Sequence, residues 1–129
     1  MATRIASNPS SSRVILVTGA SGGIGQAVIR RLRRDGARLA AFDALPIRSG
    51  RAVLSLRGDA TCEADVVDAV ARTVDRHGRL DALVHAVGRV GSGGIEACSL
   101  EQWRSQLAAN LDSAFLFCRA AAPHLAASQ

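Results

Sequence analysis

Tyrosine and lysine are both absent from this 129-residue chain, and Phe, Trp and Tyr together make up only 3% of it. With so few aromatic side chains, the core has to be built from Val, Leu, Ile and Ala. All 16 basic residues are arginine, and against 11 acidic residues they leave a net charge of +5. Arginine is a favoured phosphate contact, so a nucleic-acid surface has to be considered. The arginines are scattered, however, and the one cluster (Arg30, Arg31, Arg33, Arg34) falls where a helix would meet solvent. No nucleic-acid partner is expected. The three cysteines, Cys62, Cys98 and Cys118, are far apart and lack ligand-spaced histidines, which argues against a disulfide framework and a zinc site. Buried or half-buried free thiols in a reducing, cytoplasmic compartment are the expectation. No apolar run is long enough to span a bilayer, so no membrane association is expected. Residues 1–12 are polar and Ser-rich, without the apolar segment of a secretory signal, and read as a flexible tail. The length suits one domain, here residues 13–129.

What is present from Arg13 onward is an alternation of short apolar runs with longer amphipathic ones. "RVILVT" (13–18) is a β-branched run of the kind found in a strand buried on both faces. "GIGQAVIRRLRRDG" follows as a helix, with Ile24, Val28, Ile29 and Leu32 at helical spacing and Gly36 as its stop. "ARLAAFD" (37–43) and "RAVLSLRGD" (51–59) read as the second and third strands. A second helix spans 62–78, capped by Thr61, with Val66, Val67, Val70 and Val74 as its apolar stripe. "LDALVHAVG" (80–88) is a fourth strand, followed by the loop "RVGSGG". Ser99, with Gln102 three residues later, opens one long helix carrying Trp103, Leu107, Leu111 and Phe115 on one face, Trp103 and Phe115 reading as core or interface residues.

The order β-α-β-β-α-β-α predicts a parallel sheet with right-handed crossovers. One link is short. Between Asp43 and the third strand lie too few residues for a helical crossover, and a turn containing Pro46 and Gly50 takes its place.

The chemistry begins at the first turn. A parallel strand entering a helix through glycines makes an anion site, because the helix N-terminus offers unpaired N–H groups and partial positive charge. Here the spacing is Thr18-Gly19-x-x-x-Gly23-x-Gly25, and Asp43 ends the next strand eighteen residues after Gly25. A glycine turn standing alone is a weak signal. Placed between strand and helix, with an acid at the ribose position, it points to a dinucleotide. A carboxylate there accepts from both ribose hydroxyls and repels a 2′-phosphate, so NAD is expected over NADP. Arg48 is the one residue able to reverse that preference by swinging toward the phosphate. His85, at a strand end, reads as a hydrogen-bonded structural residue rather than a proton-transfer group.

The chain resembles the N-terminal half of a short-chain dehydrogenase/reductase. "TGASGGIG" (18–25) is similar to that family's T-G-x-x-x-G-x-G, and "NLDS" (110–113) to its N-x-x-[GS] pattern. "HAVG" (85–88) stands where the family has Asn-Asn-Ala-Gly; His85 and Val87 depart from it, while Ala86 and Gly88 keep a close backbone approach possible. The resemblance implies an α/β fold: a Rossmann-like parallel sheet in strand order 3-2-1-4 with helices on both faces, its C-terminal strands absent. It implies that Thr18, Gly19, Ser21, Gly23, Ile24 and Gly25 form the cofactor-binding turn. Asp43 would then meet the ribose, Asp59 and Ala60 the adenine side, and Ala86 and Gly88 the cofactor backbone. Asn110 would be the one member of the catalytic group present.

The implied activity is hydride transfer between nicotinamide and a carbonyl or alcohol substrate. The family performs it with a Tyr whose ionisation a nearby Lys assists, since a free phenol ionises near pH 10. Neither residue type occurs here. Three accounts follow: a truncated oxidoreductase, a non-catalytic dinucleotide-binding module, or a subunit completed by a second polypeptide. Lacking a neighbour on the far side, residues 81–86 form an exposed sheet edge, which with the long C-terminal helix is expected to promote self-association.

Overall fold

The computed structural model describes residues 12–128; apart from Ser12, the stretch read as a tail lies outside the described residues, as does Gln129. The elements run β1 (Val14–Thr18), α1 (Gly23–Arg34), β2 (Arg38–Asp43), β3 (Leu54–Arg57), α2 (Glu63–His77), β4 (Ala82–His85), α3 (Leu100–Leu107) and α4 (Ser113–Ala127). All pairings are parallel, and the strands lie in the order β3-β2-β1-β4. This is the expected Rossmann-like sheet, with helices on both faces.

Every residue of β1 is buried, which explains its uninterrupted apolar run: a central strand has no solvent face. Alternate residues feed two cores. Leu16 joins Ala40, Phe42, Leu56, Val66, Val70 and Phe117 beneath α2 and α4, while Ile15 and Val17 join Leu39, Ala41 and Ile29 beneath α1. The period-two alternation of strand side chains thus produces a doubly covered sheet.

The helix-free link after β2 is confirmed as residues 44–53. It is pinned at Ser49, whose carbonyl accepts from Arg33 (3.1 Å) and whose hydroxyl meets that of Ser55 (3.1 Å). Tertiary hydrogen bonds replace the crossover helix here.

Several local expectations are corrected. Thr61 does not cap α2; the cap position is Cys62, without a side-chain bond, and the Thr61 hydroxyl donates instead to Asp59 (2.8 Å). Ile24 and Val67 stand on helical stripes yet are exposed, because the buried lines run through Gly25 and Ile29 in α1 and through Val66, Ala69, Val70 and Thr73 in α2. Cys62 and Cys118 are exposed, and Cys98 is intermediate.

The C-terminal helix is the largest departure. The capping box at its start is present, Ser99 Oγ accepting from the Gln102 amide (3.1 Å) and Gln102 Oε1 from the Ser99 amide (2.8 Å). The helix is then interrupted by a π-helical turn over Ala108–Asp112, which separates α3 from α4. Trp103, Leu107, Leu111 and Phe115 are all exposed, so none of them is core.

Candidate functional site: a cavity at the carboxyl ends of the strands

The sheet opens at one end, where β1, β2, β3 and β4 all finish, and a cavity of about 650 Å³ lies there. Such crevices are the ligand-binding places of open parallel sheets. Gly19, Ser21 and Gly22 of the first turn form one wall; Asp43 to Leu45, Asp59 to Thr61, and Ala86 to Arg89 form the others. Phe42 and the α3–π-turn residues Ser105, Ala108 and Ala109 complete the lining.

The turn is shaped by two glycines acting on different neighbours. Gly19 has φ +66°, and a Cβ there would lie 2.4 Å from the Ala86 carbonyl oxygen. A Cβ on Gly25 would lie 2.1 Å from the Gly19 carbonyl oxygen. Only glycine lets β4 touch the turn and α1 sit down on it. Gly23 differs: nothing lies within 4 Å of its hypothetical Cβ, so no packing of the chain itself requires a glycine there.

Asp43 is built into the turn. One carboxylate oxygen accepts from the Ser21 amide (2.8 Å) and the other from the Leu45 amide (2.9 Å). The Ser21 hydroxyl in turn reaches the carbonyls of Leu45 (3.2 Å) and Pro46 (3.0 Å), clasping the β2 loop to the first turn. Asp59 accepts from the amide and hydroxyl of Thr61, both at 2.8 Å. Those two bonds hold its carboxyl below the usual carboxylate range, against a small opposing effect of burial and with help from the charge of Arg89.

The sequence-derived site residues divide into two groups. Gly19, Ser21, Asp43, Asp59, Ala60, Ala86 and Gly88 meet around the cavity. Thr18, Gly23, Ile24, Gly25 and Asn110 do not line it. Thr18 is fully buried behind the turn, Gly23 and Ile24 are exposed on the first turn of α1, and Gly25 packs against Gly19. Asn110 sits in the π-helical turn beside the cavity. Its side chain accepts from the Arg89 amide (2.8 Å) and donates to the Arg89 carbonyl (2.8 Å) and the Gln106 carbonyl (3.0 Å). It fixes the backbone leaving β4, a second position for the loop that the sequence alone did not indicate.

Wall residues that sequence reasoning missed include Leu45, Thr61, Val87, Arg89 and Ser105. Leu45, Thr61 and Arg89 each stand one or two places from a residue that was singled out, which is the only signal they carry. Ser105, Ala108 and Ala109 have helical spacing but no chemistry to mark them.

His85 is hydrogen-bonded on both ring nitrogens. It is packed against Phe117 with ring centroids 5.7 Å apart, and burial pushes its pKa down. Its Nδ1 lies 2.8 Å from Thr18 Oγ1 and its Nε2 3.1 Å from Ser113 Oγ. Among the described residues no helix is long and apolar enough to cross a membrane, and no three metal-binding side chains cluster.

Comparison with known proteins places this geometry in context. The signature of the short chain dehydrogenase family matches residues 13–129. The chain is 36% identical to 2-(R)-hydroxypropyl-CoM dehydrogenase of Xanthobacter autotrophicus, over 88% of this chain and 51% of that protein. It is 40% identical to D-threitol dehydrogenase of Mycolicibacterium smegmatis, over 84% of this chain and 45% of that protein. In structure it is similar to ligand-free aldohexose dehydrogenase of Thermoplasma acidophilum, with TM-score 0.86 and 25% identity, covering 92% of this chain and 46% of the other. It is also similar to 3-ketoacyl-(acyl-carrier-protein) reductase of Brucella melitensis complexed with NADH, with TM-score 0.80 and 28% identity, covering 87% and 50%. The chain spans about half the length of the relatives it matches.

Proposed function

The chain belongs to the short-chain dehydrogenase/reductase family, and from that premise we propose that its cavity holds NAD in preference to NADP. The observation that carries this reading is the convergence of Gly19, Ser21, Asp43, Asp59, Ala86 and Gly88 on one cavity at the carboxyl ends of the strands. In this assignment Gly19 to Gly22 and the start of α1 offer backbone N–H groups to the pyrophosphate. The open space at Gly23 supports it, since a glycine not needed for packing leaves room for a phosphate. Asp43 orients the adenosine ribose, Asp59 and Ala60 face the adenine side, and Ala86 and Gly88 border the cofactor. Thr18 and Gly25 act from behind, by shaping the turn.

Bound, the nicotinamide cofactor supplies hydride transfer to a carbonyl or from an alcohol. These 129 residues contribute no phenol and no lysine ammonium to such a reaction. Their part is to bind and orient, with Asn110 holding the Arg89 backbone so that the loop after β4 is fixed at the cavity rim. Relatives with names such as ketoacyl reductase and D-threitol dehydrogenase support a small carbonyl or hydroxyl compound as substrate of the whole enzyme.

Calorimetric titration of the chain with NAD and with NADP tests the reading. NAD binding the tighter is expected, and Asp43→Asn should narrow the gap by removing the charge that opposes a 2′-phosphate. Failure to bind either cofactor, or tighter binding of NADP, overturns it.

A further inference from the structure

We propose that Arg89 is the base-stacking residue of the adenine end of the cavity, laying its guanidinium plane against the purine on the side facing Asp59. The inference rests on the dinucleotide reading above and assigns a role to a side chain that the reading does not use.

A purine bound in this cavity needs a flat surface to lie on. The wall has one aromatic residue, Phe42, which is 1% exposed and has its ring against that of Phe117 at 5.1 Å between centroids. Its face is spent in the core. The remaining apolar wall consists of alanines with Leu45 and Val87, aliphatic side chains that offer no flat plane. Arg89 is the one arginine on the wall, and its guanidinium is a planar group able to meet a base. Arginine planes stack on bases and add a cation–π attraction.

Two observations place that plane. The backbone of Arg89 is clamped on both its N–H and its carbonyl by Asn110, and its Nη1 donates to Ser105 Oγ at 3.2 Å. The stem and tip are therefore both held by the α3–π-turn region. Arg89 and Asp59 line the same cavity, and the charge of the arginine helps hold that carboxyl in the ionised form, after the larger effect of the Thr61 bonds. Yet among the described residues the two form no ion pair. A cation and a carboxylate facing one cavity without closing on each other leave a place between them for a polar, flat group. Adenine fits that place, its amino group toward the acceptor and its ring toward the cation.

The test is calorimetric titration of the full chain and of Arg89→Ala with NAD, adenosine and inorganic pyrophosphate. The unliganded variant should melt at the same temperature as the parent, because the clamp uses main-chain atoms of Arg89. Adenosine and NAD should each weaken by roughly three- to tenfold, with pyrophosphate unchanged. Arg89→Lys should recover only part of the loss, since an ammonium keeps the charge without the plane. Ser105→Ala, which frees the tip, should give a smaller loss on the same two ligands. A loss confined to pyrophosphate and NAD, full recovery by lysine, or unchanged adenosine affinity overturns the proposal while leaving the cavity a dinucleotide site. A parent chain that binds none of the three overturns the dinucleotide reading, and this proposal with it.

Discussion

His85 Nε2 lies 3.1 Å from Ser113 Oγ, and the direction of that bond is fixed by what Ser113 does next. The Ser113 hydroxyl donates its single proton to the Ala109 carbonyl at 2.7 Å, so toward His85 it accepts. His85 therefore carries its proton on Nε2, and Nδ1 accepts from the hydroxyl of Thr18 at 2.8 Å. One neutral imidazole thus ties the end of β1 to β4 and to the first turn of α4, next to the π-helical turn that holds Asn110.

Breaking this chain of bonds should cost stability rather than binding chemistry. His85→Ala leaves the fully buried Thr18 and Ser113 hydroxyls short of a partner and opens a gap beside Phe117. A loss of about 1–3 kcal/mol is expected, the usual range for orphaned buried polar groups. Ser113→Ala should cost less, because Thr18 keeps its bond. Urea unfolding of the three proteins checks this, and equal stability would show that the relay contributes nothing.

Acid should weaken the fold through the same residue. Burial lowers the pKa of His85 in the folded chain, and burial, with the charges of Arg38 and Arg76, lowers that of His77. In the unfolded chain both take up a proton near the ordinary value of about 6.5. Below that pH the unfolded state binds more protons, so stability is fully present above about 6.5 and falls as the pH drops through it. The decline ends once the folded pKa values are passed. Melting temperatures from pH 8 to pH 5 should show the drop, and His85→Ala should show a shallower one.

The glycines of the first turn should separate folding from binding. Gly25→Ala drives a methyl into the Gly19 carbonyl and should destabilise by roughly 1–3 kcal/mol or more. Gly19→Ala adds strain at φ +66° to its clash with Ala86 and should be at least as harmful. Gly23→Ala meets nothing in the chain, so its melting temperature should hold or rise slightly while NAD affinity falls. Retained affinity in Gly23→Ala would remove that residue from the phosphate site.

Self-association should follow from the exposed surface of the C-terminal helices. Leu100, Trp103, Leu107, Leu111 and Phe115 form an apolar stripe along α3 and α4, and Arg119 covers only one side of the Phe115 ring. Among the described residues β4 is also an edge strand of the sheet. Sedimentation velocity should show concentration-dependent association that Trp103→Arg together with Leu111→Arg reduces. Association unchanged by that pair would point to the β4 edge, and a monomer at every concentration would refute both routes.

The isolated 129-residue chain should show no hydride transfer at a family-like rate. Positioned acid–base groups typically contribute about 10²–10⁴-fold, and orientation of the reactants adds to that. His85 is engaged on both ring nitrogens and does not line the cavity. A steady-state assay against ketones and secondary alcohols decides the matter. Turnover that disappears in Asp43→Ala would show that these residues suffice.

Beyond the strand order, which the family resemblance implied, the sequence by itself determined the parallel, two-faced sheet and the glycine turn ahead of Asp43. Each is written in short-range pattern: β-branched runs for buried strands, helical spacing between them, and glycines where a strand enters a helix. The capping box at Ser99 was legible for the same reason, since its partners lie three residues apart. Tertiary structure decided what depends on contacts between distant segments. The stripe from Trp103 to Phe115 has the spacing of a core face and is exposed, because α4 instead packs Phe117 and Ala121 inward. Asn110, in the π-helical turn, bonds the backbone of Arg89, a pairing 21 residues apart that no local pattern encodes. Arg89 lines the cavity wall with its backbone held by that clamp. Hydrophobic periodicity states which side chains can be buried, and only the packing of one element on another selects which of them are.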